Sequence, residues 1–331
     1  MPQATATILG AGAMGTALAT VLAKNKYKVT LWDVEKEVVQ GIARFHKNPR
    51  SLSNLTLDTS IKSEADIIKA VSSRDLVVIA VASGAVREVA TQISTVLSRN
   101  CVVACVSKGL EPQTFKTMHE VILEQLGSGF RYQIVMLSGP TFANEIAEKK
   151  PTAAMLASER SNEYSKRVIS AFSNDWFRIY ETRDIVGVSL CGVAKNALAV
   201  GSGIMKGLDY GFNTYSWILT DAFREFSRLI WKLGGAEQTM YGLAGFGDTI
   251  GTCFSEASRN RTFGELLGKG KTISAAIAEV GETVEGIGAI EAMHRLALKE
   301  RLKLPILEAL NEIVTNRKKA DKVFGELIRN L

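Results

Sequence analysis

Two hydrophobic patterns divide this sequence. In its first part, short continuous runs of Val, Ile, Leu and Ala alternate with amphipathic stretches such as 14–25 and 86–97. Such runs are typical of parallel strands that are buried on both faces and joined by helices. The pattern therefore predicts an α/β fold with a parallel sheet covered on both faces. The predicted strands are 5–10, 28–33, 75–81, 101–107, 133–139, 152–158 and 177–182.

From residue 184 onward the apolar positions follow a helical period, and no further strand is predicted. A chain of 331 residues is also long for a single hydrophobic core. We therefore expect two domains, an α/β domain over 1–183 and an all-helical domain over 184–331. The predicted helices of the second domain are 184–206, 214–233, 262–268, 273–280, 284–301 and 305–328.

The composition is that of a soluble globular protein, with 46% hydrophobic and 22% charged residues. A net charge of +6 is too small to indicate nucleic-acid binding by itself, but it suits small anionic ligands. The basic cluster 316–322 is interpreted as a solvated face of the last helix. The most apolar stretch, 185–205, contains Lys195 and Asn196 at its middle, which favours a buried core helix over a membrane span.

The pattern of cysteines and the first residues of the sequence indicate the cellular compartment of the protein. The four cysteines form no C-x-x-C pair, and three of them lie in apolar runs, which favours buried free thiols in a reducing compartment. No targeting peptide is recognisable before the first predicted strand. We expect a cytoplasmic protein without membrane insertion.

A glycine-rich motif follows the first predicted strand. It reads Gly10-Ala11-Gly12-Ala13-Met14-Gly15 and leads directly into a predicted helix. In a G-x-G-x-x-G motif the first glycine allows a tight turn, the second lets the backbone approach a diphosphate, and the third allows close packing of helix and strand. The diphosphate lies at the helix N-terminus, where free N–H groups favour an anion. We therefore predict a dinucleotide-binding site.

The acid that closes the second predicted strand bears on the choice of cofactor. Asp33 could accept hydrogen bonds from the adenosine ribose and would repel a 2′-phosphate, which favours NAD(H) over NADP(H). The alternative is a solvated acid at a strand end. Lys36 lies close enough in sequence to leave NADP(H) possible.

The three histidines have no paired spacing, which argues against a metal site and against a histidine proton shuttle, so no metal is expected. Lys195 is the better candidate for proton transfer, because an ammonium in an apolar helix is costly unless it faces an anionic partner or a cavity. The alternative is a lysine whose stem is buried and whose head reaches solvent.

Two further segments carry polar chemistry. Asp248 and Thr252 share one face if 243–253 is helical, and Arg259-Asn260-Arg261 could bind a phosphate or a carboxylate. A surface loop is the alternative for the second segment. Lys108 follows the fourth predicted strand, at the sheet edge where ligands bind in such folds.

Together these motifs resemble a known family. GAGAMG (10–15), SKGLE (107–111), SGPTFANEIA (138–147), KN (195–196), GFGD (245–248), SRNR (258–261) and VEG (284–286) look like those of bacterial NAD(P)-dependent sn-glycerol-3-phosphate dehydrogenases, in the same order along nearly the whole chain. The resemblance implies a Rossmann-type dinucleotide-binding domain followed by a helical substrate-binding domain, and a homodimer. It also implies reversible reduction of dihydroxyacetone phosphate for glycerophospholipid synthesis, with NAD(H) preferred and NADP(H) possible.

The resemblance further implies roles for individual residues. Lys195 is the general acid/base, Lys108 helps to polarise the substrate oxygen, and Asp248 holds Lys195 in position. Ser138–Thr141 and Glu285 lie on the cofactor side of the site. The implied substrate contacts are Asn196, Thr252, Ser258, Arg259, Asn260, Gly139 and Thr141, and the implied cofactor contacts are Gly10, Gly12, Ala13, Met14, Gly15, Asp33, Lys108, Ala143, Arg259 and Glu285.

Two segments depart from the family pattern. Where the family has roughly N-x-x-A-x-x-x-x-R-G, this chain has Trp217 and Asp221 in 213–222, which bears on substrate fit and on a subunit contact. VASGAV (81–86) lacks the usual proline before its serine. Two alternative functions are a dehydrogenase of another small phosphorylated or carboxylated hydroxy compound, and a protein that senses NADH without turnover.

Overall fold

The computed structural model describes residues 3–281, 283–315 and 318–331. The chain forms two compact units. The first comprises Met1–Glu111 and Lys116–Ile185, and the second comprises Pro112–Phe115 and Val186–Leu331.

The first unit is built on one eight-stranded sheet with the order β3-β2-β1-β4-β5-β6-β7-β8. Every neighbouring pair is parallel except β6 and β7, which are antiparallel. The central strand β1 pairs on both sides, with Ile8 opposite Leu31 and Val78. The strands are β1 (Thr5–Leu9), β2 (Lys28–Trp32), β3 (Lys62–Glu64), β4 (Leu76–Ile79), β5 (Val102–Cys105), β6 (Ile134–Ser138), β7 (Thr152–Ala157) and β8 (Phe177–Thr182).

All seven predicted strands are present, and the predicted class is confirmed with one correction. The sheet is mostly rather than wholly parallel, because β7 runs against β6. A continuous apolar run reports burial on both faces and carries no information about strand direction. The sequence also missed β3, an edge strand of three mainly polar residues, because so short a segment shows no period.

Helices flank this sheet, and their apolar faces complete its core. The buried face of α1 includes Ala17, Leu18, Val21 and Leu22, which join the same hydrophobic cluster as the central strands. The helices of the first unit are α1 (Ala13–Lys24), α2 (Lys36–Phe45), α3 (Ile67–Val71), α4 (Val86–Ile93), α5 (Met118–Leu126), α6 (Ala143–Ala147) and α7 (Glu163–Phe172).

Among its described residues the second unit contains helices and connecting loops but no strand, as predicted for the region after 184. The helices are α8 (Ile185–Gly207), α9 (Phe212–Lys232), α10 (Glu237–Tyr241), α11 (Asp248–Phe254), α12 (Arg259–Gly268), α13 (Ile273–Val280), α14 (Glu285–Lys299), α15 (Pro305–Val314) and α16 (Ala320–Asn330). A π-helical turn, Leu243–Gly247, leads into α11.

The prediction of a single helix over 305–328 is wrong, since α15 ends at Val314 and α16 begins at Ala320. Of the basic cluster 316–322, Asn316 and Arg317 lie outside the described residues. Lys318 is partly exposed and pairs with Glu312 and Glu326, so it belongs to a solvated segment.

Helix α8 is long and apolar enough to cross a membrane by length and composition alone. Within the folded chain, however, 89% of its most apolar window is buried. Its side chains therefore form core contacts, as expected from the Lys-Asn pair at its middle.

Four glycines bring α8 and α12 into backbone contact. A Cβ on Gly203 or Gly207 would overlap the carbonyl oxygens of Arg261 or Glu265, and a Cβ on Gly264 would overlap that of Val200. Gly268 meets Ile204 in the same way. A helix pair this close requires residues without side chains at the crossing. The crossing fixes the first turn of α12 beside the middle of α8.

Candidate active site

The glycine-rich turn lies between β1 and α1 in the first unit. Gly10 has φ +105°, and a Cβ there would lie 2.9 Å from the Ala80 backbone. A Cβ on Gly15 would overlap the Gly10 carbonyl oxygen, whereas one on Gly12 would meet no atom within 4 Å. The first and third glycines are therefore required by the fold, and the second opens onto free space, as a site for a diphosphate needs.

The N-terminus of α1 fits a dinucleotide phosphate. Gly12 is its N-cap without a side-chain cap hydrogen bond, and Gly12 and Ala13 are exposed, with Met14 partly so. N–H groups of the first helical turn have no intrahelical acceptor and attract an anion. The turn therefore has the exposed N–H groups that a diphosphate site requires.

Asp33 lies directly beside this turn. Its Oδ2 accepts a hydrogen bond from the Ala11 N–H at 2.8 Å, and its Oδ1 accepts one from the Glu35 N–H at 3.0 Å. Each carboxylate oxygen keeps a second acceptor site. The structure therefore places Asp33 where a ribose could reach it, and shows that the carboxylate also holds the turn.

A second polar group in the first unit surrounds the end of β6. Lys108 Nζ and Thr141 Oγ1 both donate to the Gly139 carbonyl oxygen, at 3.2 and 3.1 Å. The Ser138 hydroxyl is buried without a hydrogen-bond partner among the described atoms. Ala143 begins α6 directly after this segment. The predicted residues 108 and 138–143 are thus brought together at one sheet edge.

The segment 81–86, which lacks the family proline, packs against the Lys108 loop. It forms a 3₁₀ turn, Ser83–Ala85, ahead of α4. A Cβ on Gly109 would lie 2.5 Å from Ser83 Oγ, and Ser107 Oγ donates to the Val81 carbonyl oxygen at 2.5 Å. The turn is therefore ordered without proline.

The catalytic candidates of the second unit meet between α8 and α11. Lys195 Nζ donates to Asp248 Oδ1 at 2.9 Å and to Thr252 Oγ1 at 3.1 Å. Thr252 Oγ1 donates in turn to the Asp248 backbone carbonyl at 2.7 Å. The side chains of Lys195 and Asp248 are only 14% and 4% exposed. This is a desolvated ion pair in fixed geometry, and the alternative of a lysine head in open solvent is wrong.

An ammonium has three N–H donors, and within the described part of the chain Lys195 uses two of them. The third is available to an oxygen atom of a bound molecule. Cys253 follows Thr252, and burial raises the pKa of its thiol to about 12. The thiol is therefore neutral near pH 7, so Cys253 adds no charge to this cluster.

A chain of amides links α8, α12 and α14. Asn196 Nδ2 donates to Glu285 Oε2 at 3.1 Å, and Asn260 Nδ2 donates to Asn196 Oδ1 at 3.0 Å. Asn260 Oδ1 accepts from the Gly286 N–H at 2.9 Å. Three predicted site residues thus form one network, and one of them, Asn196, directly follows Lys195 in sequence.

The first turn of α12 has the chemistry of an anion-binding site. Ser258 is its N-cap and accepts from the Arg261 N–H, while Arg259 is exposed at the first helical position. Helix N-terminal N–H groups next to a guanidinium suit a phosphate. Arg261 is different, because it is buried and bonded to Glu265 and the Ser255 carbonyl oxygen. It holds the loop.

The comparisons with known proteins agree along most of the chain. Residues 5–164 match the family described as NAD-dependent glycerol-3-phosphate dehydrogenase N-terminus, and residues 184–325 match its C-terminus. The chain belongs to the NAD-dependent glycerol-3-phosphate dehydrogenase family. The resemblance drawn from the sequence motifs is therefore confirmed, as is the Rossmann-type α/β fold followed by a helical region.

Individual members of the glycerol-3-phosphate dehydrogenase family are similar over almost their full length. A glycerol-3-phosphate dehydrogenase [NAD(P)+] of Bacillus subtilis is 39% identical over 322 residues, covering 97% of this chain and 93% of that protein. Its counterpart in Staphylococcus epidermidis is 40% identical, covering 93% and 92%. The crystal structure of glycerol-3-phosphate dehydrogenase from Coxiella burnetii has a TM-score of 0.91 at 35% identity, covering 98% and 99%.

Sequence reasoning missed two features of this site. The four glycines of the α8–α12 crossing have a signal, since both pairs are spaced G-x-x-x-G. Asn48 has none. It is fully buried and bonds to Ala11 in the glycine-rich turn, and no local pattern reports a contact between residues so far apart in sequence.

Proposed function

We propose that this chain catalyses the reversible, NAD(P)(H)-dependent reduction of dihydroxyacetone phosphate to sn-glycerol 3-phosphate, which feeds glycerophospholipid synthesis. The observation that carries this proposal is the buried Lys195–Asp248–Thr252 cluster in a chain of this family. Bound NADH would supply a hydride to C2 of the substrate. The second requirement of the reaction is a proton for the C2 oxygen.

Lys195 supplies that proton from its third N–H. Its bonds to Asp248 and Thr252 fix the direction of the ammonium, so the donor is positioned before the substrate arrives. Asp248 also offsets the cost of burying the ammonium. In the oxidation direction the same nitrogen would accept the proton.

Arg259, Ser258 and Asn260 form the phosphate site at the start of α12. Arg259 contributes charge, and the helix N-terminus contributes N–H donors. Asn260 and Asn196 each have one amide hydrogen committed inside the network, so each keeps one donor for the substrate. The hydrogen bond between the Asn260 and Asn196 side chains fixes the distance between these two donors.

The remaining predicted residues would contact the cofactor or the part of the substrate that faces it. Residues Gly10–Gly15 would hold the diphosphate and Asp33 the ribose. Lys108, Gly139, Thr141 and Ala143 lie at one sheet edge, where Lys108 would polarise the substrate oxygen and Gly139 and Thr141 would contact substrate. Arg259 and Glu285 complete the cofactor contacts. We accordingly assign dinucleotide binding to 1–183 and substrate binding and catalysis to 184–331.

NAD(H) is the preferred cofactor in this proposal, with NADP(H) possible. A 2′-phosphate would lie near the Asp33 carboxylate, which the Ala11 and Glu35 N–H groups hold in place. We expect kcat/KM to be at least about tenfold higher with NADH than with NADPH, a difference of about 1.4 kcal/mol. Equal or better use of NADPH would contradict this preference and would point to Lys36.

A homodimer is proposed through the outer face of α9. The inner face of this helix is buried, whereas Trp217, Asp221, Arg224, Arg228 and Trp231 form an outward stripe. Trp231 is 66% exposed, and Trp and Arg are the residue types enriched in interfaces. Antiparallel pairing of two copies about Arg224 would place Trp217 against Trp231 and Asp221 near Arg228. The two Arg224 side chains would face each other, and the ion pair of each with Asp221 of its own copy would offset their charge.

Sedimentation analysis tests this dimer. We expect wild type to be dimeric and Trp231→Asp to be monomeric. The matched control is Leu298→Asp, since Leu298 is another exposed apolar side chain of the second unit, and this variant should remain dimeric. A monomeric wild type would overturn the dimer, and a dimeric Trp231→Asp would overturn the α9 face.

A cytoplasmic location without membrane insertion or nucleic-acid binding completes the proposal. The four cysteines are free and buried, which suits a reducing compartment. The apolar helix α8 is largely buried within the folded chain.

The decisive experiment follows NADH oxidation at 340 nm with dihydroxyacetone phosphate. Wild type should turn over, and Lys195→Ala should lose about 10²–10⁴-fold in kcat with NADH affinity unchanged. Lys206→Ala is the matched control, because Lys206 lies on the same helix but is half exposed and paired with Glu265. Turnover that survives in Lys195→Ala would overturn the role of Lys195. Absence of wild-type turnover despite NADH binding would overturn the substrate.

A further inference from the structure

The backbone of Ala11, in the middle of the glycine-rich turn, is held on both sides by side chains. Its N–H donates to Asp33 Oδ2 at 2.8 Å. Its carbonyl oxygen accepts from Asn48 Nδ2 at 2.6 Å and from Thr16 Oγ1 at 3.2 Å. The conformation of this turn is therefore set by groups outside the G-x-G-x-x-G motif.

Asn48 is fully buried, and its amide uses its whole hydrogen-bonding capacity. Nδ2 donates to the Ala11 carbonyl oxygen and to Thr16 Oγ1, the latter at 2.9 Å. Oδ1 accepts from the N–H groups of Arg50 and Ser51 at 3.0 and 3.1 Å. An amide with two donors and two acceptor sites is thereby satisfied, and its orientation is fixed.

The segment that carries Asn48 is itself anchored. His46 ends α2 in the left-handed conformation, and its carbonyl oxygen accepts from the Leu57 N–H at 2.8 Å. Pro49 packs against Gly41 so closely that a Cβ there would lie 2.8 Å from the proline ring. Asn48 thus acts from a rigid support.

The consequence for a bound diphosphate follows from peptide geometry. The C=O and N–H of a trans peptide point in opposite directions. When Asn48 draws the Ala11 carbonyl oxygen into the interior, the N–H of Gly12 is aimed outward, into the open space beside Gly12. This is the group that must meet the cofactor phosphate at the start of α1.

We propose that Asn48 is a positioning residue for the dinucleotide, and that it sets affinity for the diphosphate by orienting the Ala11–Gly12 peptide without touching the cofactor. This inference rests on the proposed dinucleotide site. Thr16 belongs to the same hydrogen-bond network, because its hydroxyl contacts both Asn48 and the Ala11 carbonyl oxygen.

The test uses the full-length enzyme and compares NADH, ADP and adenosine as ligands. Asn48→Ala removes both donors, and Asn48→Asp keeps the acceptor for Arg50 and Ser51 while removing the donor to Ala11. We expect the Kd and KM for NADH and the Kd for ADP to rise about ten- to hundredfold. Adenosine, which lacks phosphate, should bind as it does to wild type, and kcat at saturating NADH should stay within about threefold.

The matched control is Asn54→Ala, an exposed asparagine of the same connecting segment, which should bind NADH as wild type does. If Asn48 variants fail to fold, the variants Thr16→Val and Thr16→Ser test the same positioning role. The valine, which lacks the hydroxyl, should weaken NADH binding about tenfold, and the serine should restore it.

Three results separate the possible failures. Unchanged NADH affinity in folded Asn48→Ala and Thr16→Val would overturn the positioning role, as would an equal loss of adenosine affinity. A loss of kcat with unchanged NADH affinity would also overturn it. Failure of wild type itself to bind NADH would overturn the proposed function instead.

Discussion

Lys195 Nζ and Asp248 Oδ1 lie 2.9 Å apart, although 53 residues of sequence separate them. The pair is almost completely removed from solvent, so neither group can be changed without leaving its partner charged in a poorly solvated place. A buried charge that loses its partner is strongly destabilised, by about 3–5 kcal/mol. In the proposed site, this ion pair makes α11 a direct partner of the proton donor rather than a neighbouring support.

The first prediction concerns the two residues that hold Lys195. Asp248→Asn should lower kcat about hundredfold, because the shape persists while the charge opposite the ammonium is lost. Thr252→Val should lower kcat about tenfold, the worth of one well-placed hydrogen bond to a charged group. Steady-state kinetics at 340 nm measure both effects.

Thr249→Val is the control for this pair, because Thr249 is buried on the same helix and makes no side-chain hydrogen bond to Lys195. It should retain kcat within about twofold. An Asp248→Asn enzyme with wild-type kcat would show that the ion pair serves folding alone.

The second prediction concerns the phosphate site. Arg259→Gln should raise KM for dihydroxyacetone phosphate about 10- to 100-fold, since charge-assisted hydrogen bonds are worth about 1.5–3 kcal/mol. With dihydroxyacetone, which has no phosphate, wild type and variant should have the same kcat/KM. Arg329→Gln, an exposed arginine on α16, should behave as wild type. An equal loss with both substrates would place Arg259 outside the phosphate site.

The third prediction concerns the glycine crossing of α8 and α12. Gly264→Ala should lower the free energy of unfolding by about 1–3 kcal/mol or more, because its Cβ would overlap the Val200 carbonyl oxygen. Gly325→Ala, on α16 with its nearest contact at 3.9 Å, should raise it by about 0.5–1 kcal/mol, since alanine is the better helix former. Urea denaturation compares them, and similar changes in both variants would contradict the tight crossing.

The fourth prediction is a pH dependence of stability. Burial lowers the pKa of His119 from its ordinary value of 6.5, and Arg131 adds to this while Glu159 and Glu120 oppose it. Below pH 6.5 the unfolded chain therefore binds a proton that the folded chain does not, so stability falls as pH falls, by at most about 1.4 kcal/mol per pH unit from this group. The full contribution is present above pH 6.5.

His119→Gln removes this titration. Urea denaturation from pH 5 to pH 7.5 should show a smaller decline towards acid pH in the variant than in wild type. Parallel curves for the two proteins would mean that His119 is protonated equally in both states, in contradiction to its burial.

Much of the fold was predictable because its signals are local. Seven apolar runs gave seven strands, and G-x-G-x-x-G between a strand and a helix gave the turn that the structure shows. Errors arose where the signal is weak or absent. Strand β3 is too short for a period, the reversed direction of β7 leaves no trace in an apolar run, and a helical period continued across the break between α15 and α16.

The site divides in the same way. The sequence by itself determined that Lys195 lies in an apolar helix and that Asp248 and Thr252 share a helical face, because both statements depend only on residue type and the 3.6-residue period. Only the tertiary structure decided that these residues bond to one another, that Arg261 turns inward while Arg259 stays exposed, and that Asn48 holds the Ala11 peptide. Such contacts join segments distant in the chain, and they are set by how closely backbones can approach, which at the α8–α12 crossing depends on the absence of four side chains.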